Sequence, residues 1–382
     1  MMIYLDNSAT TKPYKEVLDS FLKVSVDFFG NPSSLHKIGG QAEKLLQQAR
    51  SQVARLLNVK DSEVLFTSGG TESNNLAVKG AAIAHRERGR HIVTTGIEHA
   101  SITNAMMQLE TLGFDITYVK PDANGFVSTE AIEREMREDT ILVSVIHVNN
   151  EVGTIQPINE IGALLRNYPK ALFHVDHVQG VGKVPIDFYE AGIHLCTISG
   201  HKFHGLKGTG ALFIREGVRL SPLFSGGNQE WKQRSGTENV AGMVAMSKAL
   251  RMTMEQRKEK LNQMKAAMEI VRSGISQIAE ITIHTPPENS APHILNFSIK
   301  GLKAETFVHA LEEKDIYVST TSACSSKKKA PSKTLLAMGV PLESAESAIR
   351  ISLTYRNTVE EAEKAVEAIT EAVKHLSEVV KK

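Results

Sequence analysis

Glu63-Val64-Leu65-Phe66-Thr67-Ser68-Gly69-Gly70-Thr71-Glu72 reads as a short strand that breaks at a glycine turn and enters a helix through Leu76 and Val78. Glycine backbone, hydroxyls and the free N–H groups of a helix start meet there, which is how a phosphate is held. Alone, the pattern also fits a plain turn between strand and helix. Its neighbours in the chain give it weight. Residues 91–95, 115–119, 141–148, 172–175, 193–198 and 210–214 predict strands, and 101–112, 129–136 and 158–167 predict helices between them. Such alternation predicts an α/β fold with a mainly parallel sheet and helices on both faces. Ligands in that architecture bind beyond the carboxyl ends of the strands, where Ser68, Asn150, Asp176 and Lys202 fall.

Toward the N-terminus, residues 1–15 read as an extended arm, 30–34 as a turn, and 38–57 as a helix with Leu45, Leu46, Ala49, Val53, Leu56 and Leu57 at helical spacing. Beyond the strands, a helical pattern runs from Thr237 to about Ile278, with the charged middle Arg257-Lys258-Glu259-Lys260. At 382 residues the chain exceeds the roughly 250–300 at which one core stops growing, so two domains are expected. The boundary is placed in that charged middle. This gives an arm (1–15) joining the small domain, a large domain (16–257) and a smaller α/β C-terminal domain (258–382). In the last, a strand near Ile281, strands 293–299, 316–319 and 349–353, a helix 304–313 and a polar loop 322–331 are predicted. Thr358 and Glu361 form a capping box that opens a final helix.

Lys plus Arg (44) and Asp plus Glu (43) nearly cancel, which argues against a nucleic-acid or membrane surface as the main partner. No basic segment precedes an apolar stretch at the N-terminus, and the apolar run 141–148 is too short to span a bilayer. A cytoplasmic protein is expected. Two cysteines, Cys196 and Cys324, imply no disulfide framework. Cys196 lies inside an apolar strand and reads as core packing.

The stretch Ser199-Gly200-His201-Lys202 delivers a lysine to a strand end beside a hydroxyl, an imidazole and glycines. A lysine holds a carbonyl compound as a Schiff base when its surroundings lower its pKa, so Lys202 is a candidate carrier of an aldehyde cofactor. Asp176, at the preceding strand end, suits the protonated pyridine nitrogen that makes pyridoxal phosphate an electron sink, and Gln179 can donate to the phenolate oxygen. A strand-end Asp is also a common turn cap. His99 follows another strand and suits stacking on a ring and shuttling protons. Neither HExxH nor a Cys/His pair at zinc spacing occurs, so no metal is expected.

The segments Leu5-Asp6-Asn7-Ser8-Ala9-Thr10-Thr11, Gly30-Asn31-Pro32-Ser33, Thr67-Ser68-Gly69-Gly70-Thr71-Glu72-Ser73-Asn74, Asn149-Asn150-Glu151-Val152-Gly153, Ser199-Gly200-His201-Lys202, Arg234-Ser235-Gly236-Thr237-Glu238-Asn239 and Ser322-Ala323-Cys324 closely resemble the cysteine desulfurases of the NifS/IscS type, in the class V aminotransferase family. The likeness runs from Asp6 to about Arg356. It implies a homodimer of PLP fold type I, with pyridoxal 5'-phosphate held by Lys202. Gly70, Thr71, Ser199 and His201 would hold the phosphate, Thr237 would reach the neighbouring subunit's phosphate, and His99 would stack on the ring. Asp176 and Gln179 would bond the ring nitrogen and the phenolate oxygen. Asn150 and Arg356 would receive the carboxylate of L-cysteine, and Cys324 would accept its sulfur, leaving alanine. The implied partner is a sulfur-acceptor protein, an iron–sulfur scaffold or a tRNA-thiolation enzyme.

A selenocysteine lyase-like enzyme, and a silent scaffold in a sulfur-relay complex, are the competing readings; the presence of both Lys202 and Cys324 disfavours the scaffold. Thr321 stands where many relatives have glycine, and His177 where a small residue is usual, close enough to perturb Asp176. Lys327, Lys328 and Lys329 read either as a solvated loop or as a dock for an acidic sulfur acceptor.

Overall fold

In the computed structural model, which describes residues 2–320 and 331–380, the chain opens with a short strand β1 (Ile3–Tyr4) and helices α1 (Lys15–Asp27) and α2 (Lys37–Leu57). It then alternates through β2 (Val64–Thr67), α3 (Gly70–His85), β3 (His91–Thr95), α4 (Ala100–Thr111), β4 (Asp115–Val119), α5 (Thr129–Glu135), β5 (Thr140–Ile146), α6 (Ile158–Leu165) and β6 (Leu172–Asp176). Strands β7 (Leu195–Ser199) and β8 (Gly210–Ile214) follow, and α7 (Val240–Ile275) leads onward. The rest is β9 (Ile281–Ile283), β10 (Ile294–Ile299), α8 (Ala304–Glu312), β11 (Ile316–Tyr317), β12 (Ser319–Thr320), α9 (Lys333–Ala337), α10 (Leu342–Glu346), β13 (Ala348–Ser352) and α11 (Val359–Val380).

Seven strands join in the order β2-β8-β7-β6-β5-β3-β4. Strand β8 runs against its neighbours β2 and β7, and every other pairing is parallel. This is the expected α/β fold. Successive side chains of a strand point to opposite faces, and here the two sets enter different layers. Ile92, Leu142, Leu195 and Leu212 pack with Leu76 of α3 and Met106 of α4. Their neighbours Val93, Val143, Cys196 and Phe213 pack with Ile132 of α5 and Ile161 of α6. Cover on both faces is why these strands are continuous apolar runs in sequence.

A second, antiparallel sheet has the order β12-β13-β10-β9. Phe297, Phe307, Ile351 and Ile369 bury its core against α8 and α11. Helix α7 serves both cores: Met246 and Leu250 pack beside the large sheet, Met264 and Val271 beside the small one. The charged stretch 257–260 lies between these halves.

The predicted strand 316–319 is in fact two. Strand β11 pairs in parallel with β1, whereas β12 pairs with β13, so the chain changes partner at Val318. Ile316-Tyr317-Val318-Ser319 has unbroken strand propensity, and propensity carries no information about partners. The capping box forms as read, with Thr358 Oγ1 and Glu361 Oε2 each accepting the other's backbone N–H at 3.2 Å. Through β1 and the residues after it, the arm crosses from the small sheet to the large one: Asn7 N–H donates to Ser352 O, and Thr11 N–H to His201 O at 2.9 Å.

Several histidines are buried as neutral rings. His174 lies between the hydroxyls of Ser144 and Thr197, 2.9 and 3.1 Å away, and burial pushes its pKa down to about 3. Burial likewise lowers His147 to about 4. The unfolded chain takes these protons more readily, so their stability contribution is intact above about pH 6.5 and is lost as pH falls toward 4. Each such histidine steepens the decline by up to about 1.4 kcal/mol per pH unit. Urea denaturation followed from pH 7 to 4 is expected to show this fall, and His174→Asn to flatten it by about one proton's worth.

Candidate active site

The carboxyl ends of β2, β3, β5, β6 and β7 open onto one cavity of about 530 Å³. Each delivers a short polar turn. After β2 come Gly70 and Thr71 at the start of α3; after β3, His99; after β5, Asn150; after β6, Asp176 and Gln179; after β7, Ser199, His201 and Lys202. All of these line the cavity, as sequence reading expects. Lys207 and Gly208, just before the reversed strand β8, close the same edge.

Asp176 is buried at the floor. Its Oδ1 accepts from the Val178 N–H at 3.0 Å and its Oδ2 from Asn74 Nδ2 at 2.7 Å. The Lys202 ammonium donates to the carbonyls of Ser8 and Ala9 on the arm, the latter at 2.8 Å. Beneath it, Lys183 donates to the Lys202 carbonyl at 3.1 Å, and burial with the Lys202 charge nearby lowers its pKa to about 7. His201 faces Thr10 Oγ1 at 3.2 Å, and burial, then Lys202 and Lys207, lower it to about 4. Buried Arg350 donates to Asn150 O at 2.9 Å and to Asp6 Oδ1 at 2.8 Å, tying the second sheet to the cavity wall. Beside Asn150, Glu151 is half-buried; desolvation raises its pKa, and it accepts from Ser332 and from Thr334 at 3.2 Å.

Two predicted residues lie elsewhere. Thr237 lines a separate cavity of about 180 Å³ with Ser68, Glu230 and Arg234. Arg356 is exposed, its guanidinium 5.9 Å from the Tyr14 ring centre. Cys324, with Thr321, Lys327, Lys328 and Lys329, lies outside the described residues. His177 is taken up by His147 and Phe188, with ring centres 4.9 and 6.0 Å apart, and does not line the cavity. Cys196 is buried in β7, where desolvation raises its thiol pKa, as a packing residue requires. The roles of Asn74, Ser101, Lys183 and Arg350 escaped sequence reading. For Asn74, Ser101 and Arg350, polar residues inside helices and a strand were the available signal; Lys183 lies in a turn and offered none.

The donors fit pyridoxal phosphate. Ser199 Oγ is buried beside the cavity without a hydrogen-bond partner. A Cβ on Gly70 would stand 3.1 Å from Val178 Cγ2 and 3.3 Å from Ser199 Cβ, so glycine leaves the cradle open. Helix α3 points its unsatisfied N–H groups at that cradle. A lysine and a buried acid complete the set.

The family described as aminotransferase class-V matches residues 3–365. A "NifS/IcsS protein homolog" of Lactobacillus delbrueckii subsp. bulgaricus is 47% identical over 99% of both chains. A "putative cysteine desulfurase IscS 1" of Bacillus subtilis is 42% identical over 98% of this chain and 99% of its own. Among solved structures, a "NifS-like protein" superposes with a TM-score of 0.92 at 38% identity, over 98% of this chain and 100% of that one.

The cradle gives a direct expectation. Gly70→Val should weaken pyridoxal phosphate binding by roughly tenfold or more, since overpacking costs about 1–3 kcal/mol. Titration of visible absorbance measures it. Gly40→Ala, where an added Cβ meets nothing within 4 Å, is the control and should bind as the parent does.

Proposed function

The chain belongs to the class-V aminotransferase family as a pyridoxal-phosphate-dependent cysteine desulfurase, and from that premise we propose the roles of its individual residues, its assembly and the destination of its sulfur. One observation carries the assignment of roles: Lys202, Asp176 and the Gly70-Thr71 turn meet at one cavity.

Gly70, Thr71, Ser199 and His201 hold the phosphate. Lys202 would hold the cofactor's aldehyde carbon, and its free amine would take the Cα proton of L-cysteine. Pyridoxal phosphate, when bound, supplies an electron sink for the charge left at Cα. Asp176 keeps the ring nitrogen protonated, Gln179 donates to the phenolate oxygen, and His99 lies against the ring. Asn150 and Arg356 orient the substrate carboxylate, the Arg fork matching its two oxygens. The Cys324 thiolate forms an S–S bond to the substrate sulfur as the substrate's C–S bond breaks. The electron pair left on that carbon takes a proton, so the products are alanine and a Cys324 persulfide. Only a thiolate is nucleophilic enough for this, and the lysines that follow Cys324 in sequence would favour it.

The enzyme works as a homodimer. Leu18, Leu22 and Val26 are exposed at one-turn spacing on α1, with Phe29 exposed just beyond. Apolar surface of that kind is suited to a partner subunit. Thr237 sits apart from its own chain's main cavity, in keeping with service to a neighbour's phosphate. The persulfide passes in the cytoplasm to an acceptor protein for iron–sulfur clusters or thiolated tRNA. Among the described residues, no helix is long and apolar enough to cross a membrane.

Purified enzyme given L-cysteine and a thiol reductant is expected to release alanine and sulfide in equal amounts. Cys324→Ser should cut both by roughly a hundredfold or more while keeping the visible absorbance, as loss of a nucleophile typically does. Sulfide release at the parental rate from that variant would remove Cys324 from the mechanism.

A further inference from the structure

In the wall of the cavity, Asp176 and His99 are joined by a line of hydrogen bonds through two side chains that the roles above do not use. Asn74, on α3, is fully buried, and its Nδ2 lies 2.7 Å from Asp176 Oδ2 and 2.9 Å from Ser101 Oγ. Ser101, in the first turn of α4, places its Oγ 2.8 Å and its backbone nitrogen 3.2 Å from His99 Nδ1.

The direction of each proton follows from what each group can do. A carboxylate only accepts, so the Asn74 amide must turn its NH₂ toward Asp176. The second hydrogen of that NH₂ goes to Ser101 Oγ. Ser101 Oγ thereby accepts from Asn74 and has its own proton left for His99 Nδ1. The Ser101 backbone N–H can only donate, and it too points at Nδ1. Asn74 Oδ1 is left buried without a partner, which costs stability and marks the amide's orientation as fixed by its neighbours.

We propose that Asn74 and Ser101 are positioning residues: anchored on Asp176, they fix the direction of each hydrogen bond along one buried line and lock His99 as the neutral tautomer with its proton on Nε2. Nε2–H is then the only group that the ring can offer to a ligand, and it is a donor. A second ring proton would have to sit on Nδ1 against two converging donors. His99 therefore stacks and donates but does not accept the substrate's proton, which leaves that task to the Lys202 amine. The groups that face the ring agree. Burial lowers its pKa first; among the charges, Asp176 acts to raise it and Lys202 to lower it, and His201 adjoins it.

The inference rests on the proposed placement of His99 against the cofactor, and its test reads the ring directly. In holoenzyme labelled with ¹⁵N-histidine, the His99 signals are identified by their loss in His99→Gln. Nδ1 should give the unprotonated and Nε2 the protonated signature at pH 8, and the ring's titration midpoint should lie below the ordinary histidine midpoint. Ser101→Ala removes one of the two donors and should raise the ring's titration midpoint by about one pH unit, the size of one hydrogen bond. Ser101→Thr keeps the hydroxyl and should restore the parental midpoint. Asn74→Ala should shift it in the same direction as Ser101→Ala; if that buried variant fails to fold, the two Ser101 variants decide alone. A proton on Nδ1 in the parent, or an unchanged midpoint in Ser101→Ala, overturns the proposal. Alanine release by the same preparations reports on the desulfurase mechanism, so the two readings fail separately.

Discussion

A parallel strand delivers its last residue to the same edge as its neighbours, and this protein's chemistry depends on that constraint. Strand β8 breaks it once, and the break has a use. Because β8 runs the other way between β2 and β7, its amino end lies against the glycine turn at 68–71. Gly210 comes so close that a Cβ there would stand 2.6 Å from the Gly69 Cα. Gly69 itself has φ of +148°, a conformation side chains rarely adopt. The turn is thus seated by backbone packed on backbone, and the start of α3 is aimed by the sheet.

The N-terminal arm imposes the second constraint. Its first residues extend the small sheet's neighbourhood through β11 and β13, and its next ones run past Lys202 to His201 and His204. Arg350 fastens the crossing point to Asn150 and Asp6. Displacement of the arm would therefore disturb the lysine, the cavity wall and the second sheet together.

The regular elements were legible because their apolar periodicity is local. Strands β3 and β4 and the start of α5 match the residues read from sequence. What escaped was held by distant partners. Strand β1 is two residues long and exists through its pairing with β11, over 300 positions away. The turn of partner at Val318 has the same cause. Helices α9 and α10, five residues each, are too short to show a period. In the site, the residues at strand ends were readable from glycine, hydroxyl and charge at turns. Asn74 and Ser101 were not, since each sits within a helix and its meaning lies in a contact across 27 and 102 positions.

Neutral groups are among those that hold the charges in the cavity. Two amides, the Asn74 side chain and the Val178 backbone, hold the Asp176 carboxylate, and two backbone carbonyls accept from the Lys202 ammonium. Breaking a buried ion pair strands a charge and costs several kcal/mol, about 3–5 in measured cases. A carbonyl that loses an ammonium is left only a polar group short of one bond, at about 1–3 kcal/mol. In its proposed role, Lys202 lets go of these carbonyls to reach a carbonyl carbon and later returns. Letting go of a carbonyl is therefore the shallower exchange of the two. Lys183 fits the same logic, for with a pKa near 7 it donates to the Lys202 carbonyl whether charged or neutral, and so fixes the backbone while adding little permanent charge. Asp176 is thus met by amide donors and Lys202 by backbone carbonyls, dipoles that the fold already holds in place.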